Sequence, residues 1–290
     1  MKILISFPGN TRTIPMSKFV PKAFEQLGHM VKIFNHEYDN LFERLLNKTR
    51  KKQFKEYKNR QLLKEIRRFK PDLFFAIYGI PHDAFTINEI KKLNIKTACW
   101  WLNDPFELPF AKTDSAPFYD FYFSNSRGTQ PDYLKAGVKN IFFLPVGIDP
   151  EVHKFLNLPK VNDVVFAGDH HPVREKVMEE LIARGFKIKV IGPWRKKIAQ
   201  NSSILPFLEK QKYFTAEEMV KHFNESKVVL NIHTWYGRWD YGVNPRLFEA
   251  SACKSFQLCD NKAEIGDFFK DGEDIVIYKN IEELPDLVEK

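Results

Sequence analysis

The sequence predicts an α/β protein of two Rossmann-like domains whose parallel sheets face a cleft. Three features predict it. Short apolar runs alternate with longer amphipathic ones along most of the 290 residues. The short runs are nearly continuous in Phe, Ile and Val, which is how strands buried on both faces of a parallel sheet read. The alternation also lapses once, between Pro145 and Lys160, and then resumes. That lapse, rich in turn residues, is the expected interdomain linker and puts the domains at 1–150 and 151–290.

In the first half, strands are expected at 2–7, 30–35, 73–78, 96–102, 118–124 and 141–145. Helices are expected at 18–27, 40–69, 84–93 and 130–136, with turns at Gly28, Pro71, Gly79–Pro81, Asn94 and Gly137. Strand, helix and strand in this rhythm give right-handed βαβ units. In the second half, strands are expected at 161–167, 187–192, 227–233, 256–260 and 274–278. Helices fall at 173–183, 215–223, 244–253, 264–269 and 282–289. Thr215 and Glu218 have the spacing of a capping box, and Pro245 suits a first helical turn.

Hydrophobic residues make up 43% of the chain and aromatics 14%, with 27 Phe, enough for two cores, so a disordered chain is excluded. Cys99, Cys253 and Cys259 are too few and too scattered for a disulfide framework or a zinc site. The opening MKILISF ends in Pro8-Gly9 after a short apolar run, which reads as a first strand rather than a secretory leader. No apolar run approaches the ~18 residues of a membrane span. A soluble cytoplasmic protein, with association at the inner face of the membrane left open, is therefore the expectation.

Ligands bind open parallel sheets beyond the carboxyl ends of the strands. The post-strand residues are Pro8, Gly9, Asn10 and Thr11; Gly79, Pro81 and His82; and Asn103, Asp104 and Pro105. In the second half they are Gly168, Asp169, His170 and His171; Gly192, Pro193 and Trp194; and 233–244. A site between two domains draws on both sets. The segment from Asn244 through Pro245, Arg246, Leu247, Phe248 and Glu249 to Cys253 is the sharpest signal. A helix starts there, and its free amides and dipole favour an anion such as a diphosphate. Arg246 opposes that dipole, so a phosphate ligand or a carboxylate partner is expected beside it. Glu249 lies three residues on and can take ribose hydroxyls, or simply pair with Arg246. The preceding loop, 234–243, adds Trp235, Tyr236, Arg238, Trp239 and Asp240, side chains that stack on sugar rings or bases and meet phosphate, or else anchor the loop to the core.

The run NPRLFEASACKSFQLCD, followed by EIGDFFKDGEDIVIYKNIEEL, resembles the C-terminal half of GT-B glycosyltransferases, and most of all the spore-maturation, CgeB-like group. The matching residues are Asn244, Arg246, Phe248, Glu249, Ala250, Asp260, Phe269, Gly272, Glu273, Tyr278 and Leu284. Val164 to Gly168 with Arg174 resembles the entry into the family's second domain, and Trp100 to Pro105 with Tyr119-Asp120 resembles segments of its first. The resemblance implies a glycosyltransferase that takes a nucleotide-sugar donor such as a UDP- or GDP-sugar on its C-terminal domain, with no bound metal and no cofactor. It implies donor contacts from Glu249, Arg246, Asn244, Leu247 and Arg174, to which the loop residues themselves add Arg238, Gly168 and His170. Glu249 would take the ribose, and the helix start would face the diphosphate. Many related transferases carry a second glutamate eight residues earlier; here that position is Tyr241.

An inverting transferase needs a carboxylate or histidine near the acceptor hydroxyl, and Asp104 and His82 are the candidates, each with a structural alternative at the start of a helix or before a proline. His170-His171 reads as a phosphate contact, since adjacent residues rarely aim at one ion. From Arg44 to Lys70, twelve Lys/Arg face two glutamates, so this segment holds the whole surplus of a chain of net charge +8. A solvated helix, docking on an anionic membrane surface, and nucleic-acid binding are its three readings; Phe54 and Tyr57 are too few for base stacking. The acceptor is expected to be a glycan, lipid-linked or protein. A non-catalytic binding protein and a nucleotide-sugar epimerase are the alternatives, because fold alone does not fix function.

Overall fold

The structure, a computed structural model, describes residues 1–9, 15–79, 81–111, 114–210 and 214–290; Asn10 and Thr11, expected after the first strand, lie outside them. The chain divides into two compact units, Met1–Pro145 and Val146–Lys290.

The first unit runs β1 (Lys2–Phe7), α1 (Met16–Gln26), β2 (Met30–Asn35), α2 (Leu41–Thr49), α3 (Lys51–Phe69), β3 (Leu73–Ile77), α4 (Ala84–Lys91), β4 (Lys96–Trp101), α5 (Leu108–Ala111), β5 (Phe121–Ser124), α6 (Gln130–Lys135) and β6 (Ile141–Phe143). Its six strands lie in the order β2-β1-β3-β4-β5-β6, and every pair is parallel. The second unit runs β7 (Asn162–Ala167), α7 (Pro172–Ala183), β8 (Ile188–Ile191), α8 (Ala216–Asn224), β9 (Ser226–Asn231), α9 (Pro245–Ala252), β10 (Phe256–Asp260), β11 (Val276–Tyr278) and α10 (Leu284–Glu289). Its order is β11-β10-β9-β7-β8, again all parallel.

Renumbered within each unit, both sheets follow the order 2-1-3-4-5, which the first extends with a sixth strand. That order reverses direction beside its first strand, which opens a crevice between β1 and β3 in one unit and between β7 and β9 in the other. The central strands are buried along almost their full length, as their continuous apolarity requires. β2 is an edge strand and only half covered, although its sequence is as apolar as its neighbours. Leu4, Leu62, Ile66, Phe74, Trp101 and Tyr133 belong to the first core. Val164, Phe166, Met178, Trp194, Leu230 and Tyr278 belong to the second.

Three expectations need correction. The helix expected over 40–69 is a hairpin: Arg50 leaves the helical region at φ −142°, ψ 65°, and α2 folds back along α3. Phe42 meets Tyr57 edge-on and Glu43 pairs with Lys58, so the two helices run side by side. The strand expected over 118–124 begins only at Phe121, because a single 3-10 turn holds Ala116–Phe118. The segment expected to be the interdomain linker, 145–160, belongs from Val146 on to the second unit. There the Leu156 amide donates to Asn224 Oδ1, and Asn224 Nδ2 donates to the Lys154 carbonyl.

Candidate functional site in the second unit

α9 begins where the sequence places it. Asn244 is its cap and accepts the Leu247 amide at 3.2 Å. Its own amide donates to His233 Nε2 at 3.2 Å, and its Nδ2 donates to Asn231 Oδ1 at 2.7 Å. Asn231 Nδ2 in turn donates to Asn244 Oδ1 and Gln257 Oε1, both at 3.1 Å. Asn244 is thus spent on holding the helix entrance against β9 and β10. Leu247, expected to face the diphosphate, has its side chain in the interior and its amide taken by the cap.

Arg246 and Glu249 occupy the next level. Nη1 of Arg246 donates to Glu249 Oε2 at 2.5 Å, and Nη2 lies 3.5 Å from the Ala167 carbonyl at the end of β7. The guanidinium rests 4.8 Å above the Phe223 ring. Its Nε is buried and meets no partner among the described residues. The arginine therefore reaches from the first turn of α9 across the β7–β9 crevice. The pairing open to Glu249 in the sequence is present, and its other oxygen lies 3.9 Å from His153 Nε2.

His153 was invisible as a site residue, since 96 positions separate it from Glu249 and its neighbours read as linker. It is buried, and its Nδ1 lies 3.1 Å from the Asp149 carbonyl.

Arg174, expected to touch the donor, is an internal clamp. Nε and Nη2 donate to the Ile232 carbonyl, Nη1 to the Asp169 carbonyl, and Nη2 also to Thr234 Oγ1. Burial pulls its pKa down to about 10 although Asp169 and Asp260 lie near. What it does is tie together the two loops that flank the crevice. Gly168 sits beneath it: the Gly168 carbonyl accepts Trp194 Nε1, and a Cβ at Gly192, whose φ is +153°, would lie 2.1 Å from that same carbonyl oxygen. Only glycine lets the ends of β7 and β8 approach so closely. His170 Nε2 contacts Glu175 Oε2 at 2.6 Å and its ring meets Trp194 edge-on, while His171 caps α7.

Below the α9 entrance lies a buried polar cluster that the sequence did not advertise. Asp260 Oδ1 accepts both the amide and Nδ1 of His233, at 2.8 and 2.7 Å, and Lys262 Nζ lies 2.8 Å from Oδ2. Burial alone would raise the Asp260 pKa, but the neighbouring His233 and Lys262 outweigh it and hold the carboxyl at about 2. His233, Cys259 and Asp260 are close enough to suggest a metal group. However, both ring nitrogens of His233 are already engaged, and burial pushes the Cys259 thiol well up. The trio offers an ion no free ligand set.

The aromatic loop after β9 is half anchor and half open. Trp235 Nε1 donates to the Tyr241 carbonyl, and Tyr236 OH accepts the Ile281 amide. Arg238 stays exposed and stacks 4.0 Å over Trp239. Tyr236, Arg238, Trp239, Asn261, Lys262 and Lys279 line much of a pocket of about 620 Å³ at this end of the sheet.

The two groups nominated as bases are in the first unit, and both are interior. Asp104 is 0% exposed; its Oδ2 accepts Ser124 Oγ at 2.5 Å, Tyr133 OH at 2.8 Å and Thr129 Oγ1 at 3.2 Å. Burial, against those hydrogen bonds, pushes its pKa up to about 6. His82 is 2% exposed. Its Nδ1 meets Tyr119 OH at 2.8 Å, and its Nε2 meets Ser6 Oγ at 3.0 Å and His36 Nε2 at 3.2 Å. Neither presents an atom to an acceptor hydroxyl. Both are anchors at the carboxyl end of the first sheet.

No curated protein matches the chain. Among solved structures, HepE of Anabaena, determined in complex with UDP, is similar at 11% identity and TM-score 0.62, covering 100% of this chain and 89% of that one. Sucrose-phosphate synthase of Thermosynechococcus elongatus is similar at 10% identity and TM-score 0.66, with the same coverage. The UDP-GlcNAc 2-epimerase of Methanocaldococcus jannaschii is similar at 14% identity and TM-score 0.60, covering 100% and 92%. Residues 173–290 match the model of a family described as glycosyl transferase-like. The chain therefore has the two-unit, parallel-sheet GT-B fold, and the stretch of its C-terminal unit from residue 173 on is similar to the glycosyl transferase-like family.

Proposed function

We propose that this chain is a glycosyltransferase that binds a nucleotide-sugar donor, of the UDP-sugar kind, at the β7–β9 crevice of its second unit. One observation carries the reading. Arg246 sets a cation in the first turn of α9, against the dipole preference, and spans the crevice with one nitrogen buried and unpartnered. A donor diphosphate supplies the missing partner. The HepE complexes with UDP and with UDP-glucose, on the same fold, support that choice of ligand.

In this reading the diphosphate lies over Arg246 and the start of α9, which stabilise the leaving phosphate as the glycosidic bond breaks. Glu249 turns from Arg246 to the ribose hydroxyls, with His153 behind it. The Gly168 and His170 loop closes over the phosphates. Arg238 and Trp239 face the sugar. Stabilisation of the leaving group by these side chains needs no bound metal or cofactor. The acceptor is a glycan, a lipid-linked sugar or a protein, and its base lies elsewhere than Asp104 and His82. The spore-maturation, CgeB-like group remains the family that the C-terminal motifs resemble.

Calorimetry with UDP, GDP and UDP-glucose tests the site. Glu249→Ala is expected to weaken binding about tenfold or more, which is about 1.4 kcal/mol. Unchanged affinity would remove the anchor of the proposal. Slow hydrolysis of the bound donor without acceptor then separates a transferase from a non-catalytic binder. Inversion at a carbon of the intact donor sugar would mark an epimerase instead.

A further inference from the structure

α2 presents its polar and apolar residues in reverse. Its buried residue is Glu43, whose carboxylate pairs with the buried Lys58 at 3.3 Å. Leu41, Phe42 and Leu45 are instead 80%, 62% and 58% exposed. Leu41 and Leu45 are one turn apart and share a face; Arg44 and Lys48, also one turn apart, run alongside them. Arg50, Lys51 and Lys52 continue the cationic strip across the turn into α3. All five cations are exposed, and none forms an ion pair with a carboxylate among the described residues.

Three partners could be drawn to such a face. A nucleic acid would use the charge and leave the leucines in water. A second copy of this chain would cover the leucines but bring five like charges against five. An anionic bilayer satisfies both halves, because the acyl boundary takes Leu and Phe while headgroups take Arg and Lys. We propose that α2 and its turn into α3 dock on an anionic lipid surface, with Leu41, Phe42 and Leu45 in the acyl boundary and Arg44, Lys48, Arg50, Lys51 and Lys52 among the headgroups. The hairpin follows the carboxyl end of β2, and Asn59 of α3 donates to the Pro81 carbonyl in the loop after β3. Docking would therefore hold the carboxyl edge of the first sheet close to the lipid, whatever reaction the second unit supports.

The full-length protein is tested by co-sedimentation with phosphatidylcholine vesicles, with and without about one-third phosphatidylglycerol. Binding is expected only to the anionic vesicles, with most of it lost between about 0.1 M and about 0.5 M salt. Leu41→Ser with Leu45→Ser, and separately Lys51→Glu with Lys52→Glu, are each expected to lower partitioning about tenfold at unchanged melting temperature. Cys99, Cys253 and Cys259 are buried, so an environment-sensitive dye attached through Leu45→Cys reads that position alone. Its emission is expected to shift to the blue on adding anionic vesicles. Vesicle binding that survives the double serine variant would overturn the proposal. So would a dimer in light scattering that the same variant dissolves, or retention of RNA with no binding to vesicles.

Discussion

Ser6 Oγ stands between two imidazoles, 3.0 Å from His82 Nε2 and 3.1 Å from His36 Nε2. Burial, with other cations nearby, lowers both histidines, His82 to about 3 and His36 well below its ordinary value. Both are neutral in the folded protein and titrate freely once it unfolds. The unfolded chain then binds more protons at acid pH, so stability is full above about pH 6.5 and falls as pH drops toward the folded pKa values. Each unit of that fall is expected to cost up to ~1.4 kcal/mol per histidine. Urea midpoints between pH 7 and 5 would measure it, and His36→Phe is expected to flatten the slope. Asp104 is expected to show itself as an anchor in the same assay. Asp104→Ala strands three buried hydroxyls and should cost ~2–4 kcal/mol, whether or not donor is bound. A variant that kept full stability but lost turnover would restore Asp104 as a catalytic group. None of this was legible in the sequence. Ser6, His36, His82 and Tyr119 come from four separate segments, and adjacency along the chain says nothing about which strand ends converge.

At the scale of elements, the strands were legible and the breaks were not. β1, β3 and β4 read correctly because burial on both faces makes their runs mostly apolar, with only Ser6 and Thr97 as buried polar residues within them. β2 read the same way although it lies at an edge, so apolarity alone does not report a strand's place in the sheet. The α2–α3 hairpin was hidden because the residues on either side of Arg50 all permit a helix. Its fixing contact, Glu43 with Lys58, joins two charges that a linear reading assigns to the solvated face. Glu43→Ala leaves Lys58 buried with only the exposed Asp39 as partner, and is expected to cost several-fold more than Asp39→Ala, on the order of 3 kcal/mol against under ~1. Thermal melts of the two variants compare them directly. In the second unit, the start of α9 was read correctly from Pro245, but the role of Asn244 as its cap was not. Its coupling to Asn231, Gln257 and His233 was not, because those partners follow from strand order. Asn244→Ala is expected to cost ~2–3 kcal/mol, above the ~1 of an isolated cap, since Asn231 also loses its partner.

For the whole molecule, the division into two units with separate cores makes ligand effects separable. Saturating UDP at about 100 times its dissociation constant is expected to stabilise the unit that binds it by ~2.7 kcal/mol. Hydrogen exchange would locate the effect, with slowing expected at the ends of β7 and β9 and in the first turns of α9. The Ser6 and Asp104 clusters should keep their rates. Slowing confined to the first unit would contradict the placement of the donor. The alternation of strand and helix in both units was legible, but the strand order was not, because growth from the first strand toward either side gives the same one-dimensional pattern.

The stretch that follows Pro145 has a practical meaning for anyone dividing the gene. Lys154 and Leu156 supply both bonds that hold the Asn224 side-chain amide from outside its helix, and His153 stands behind Glu249. A fragment started at residue 161, where the first strand of the second sheet opens, would discard that brace along with the imidazole. A chimera joined ahead of Val146 keeps both, so the useful splice point lies at the break between the two units and not at the first strand of the second sheet.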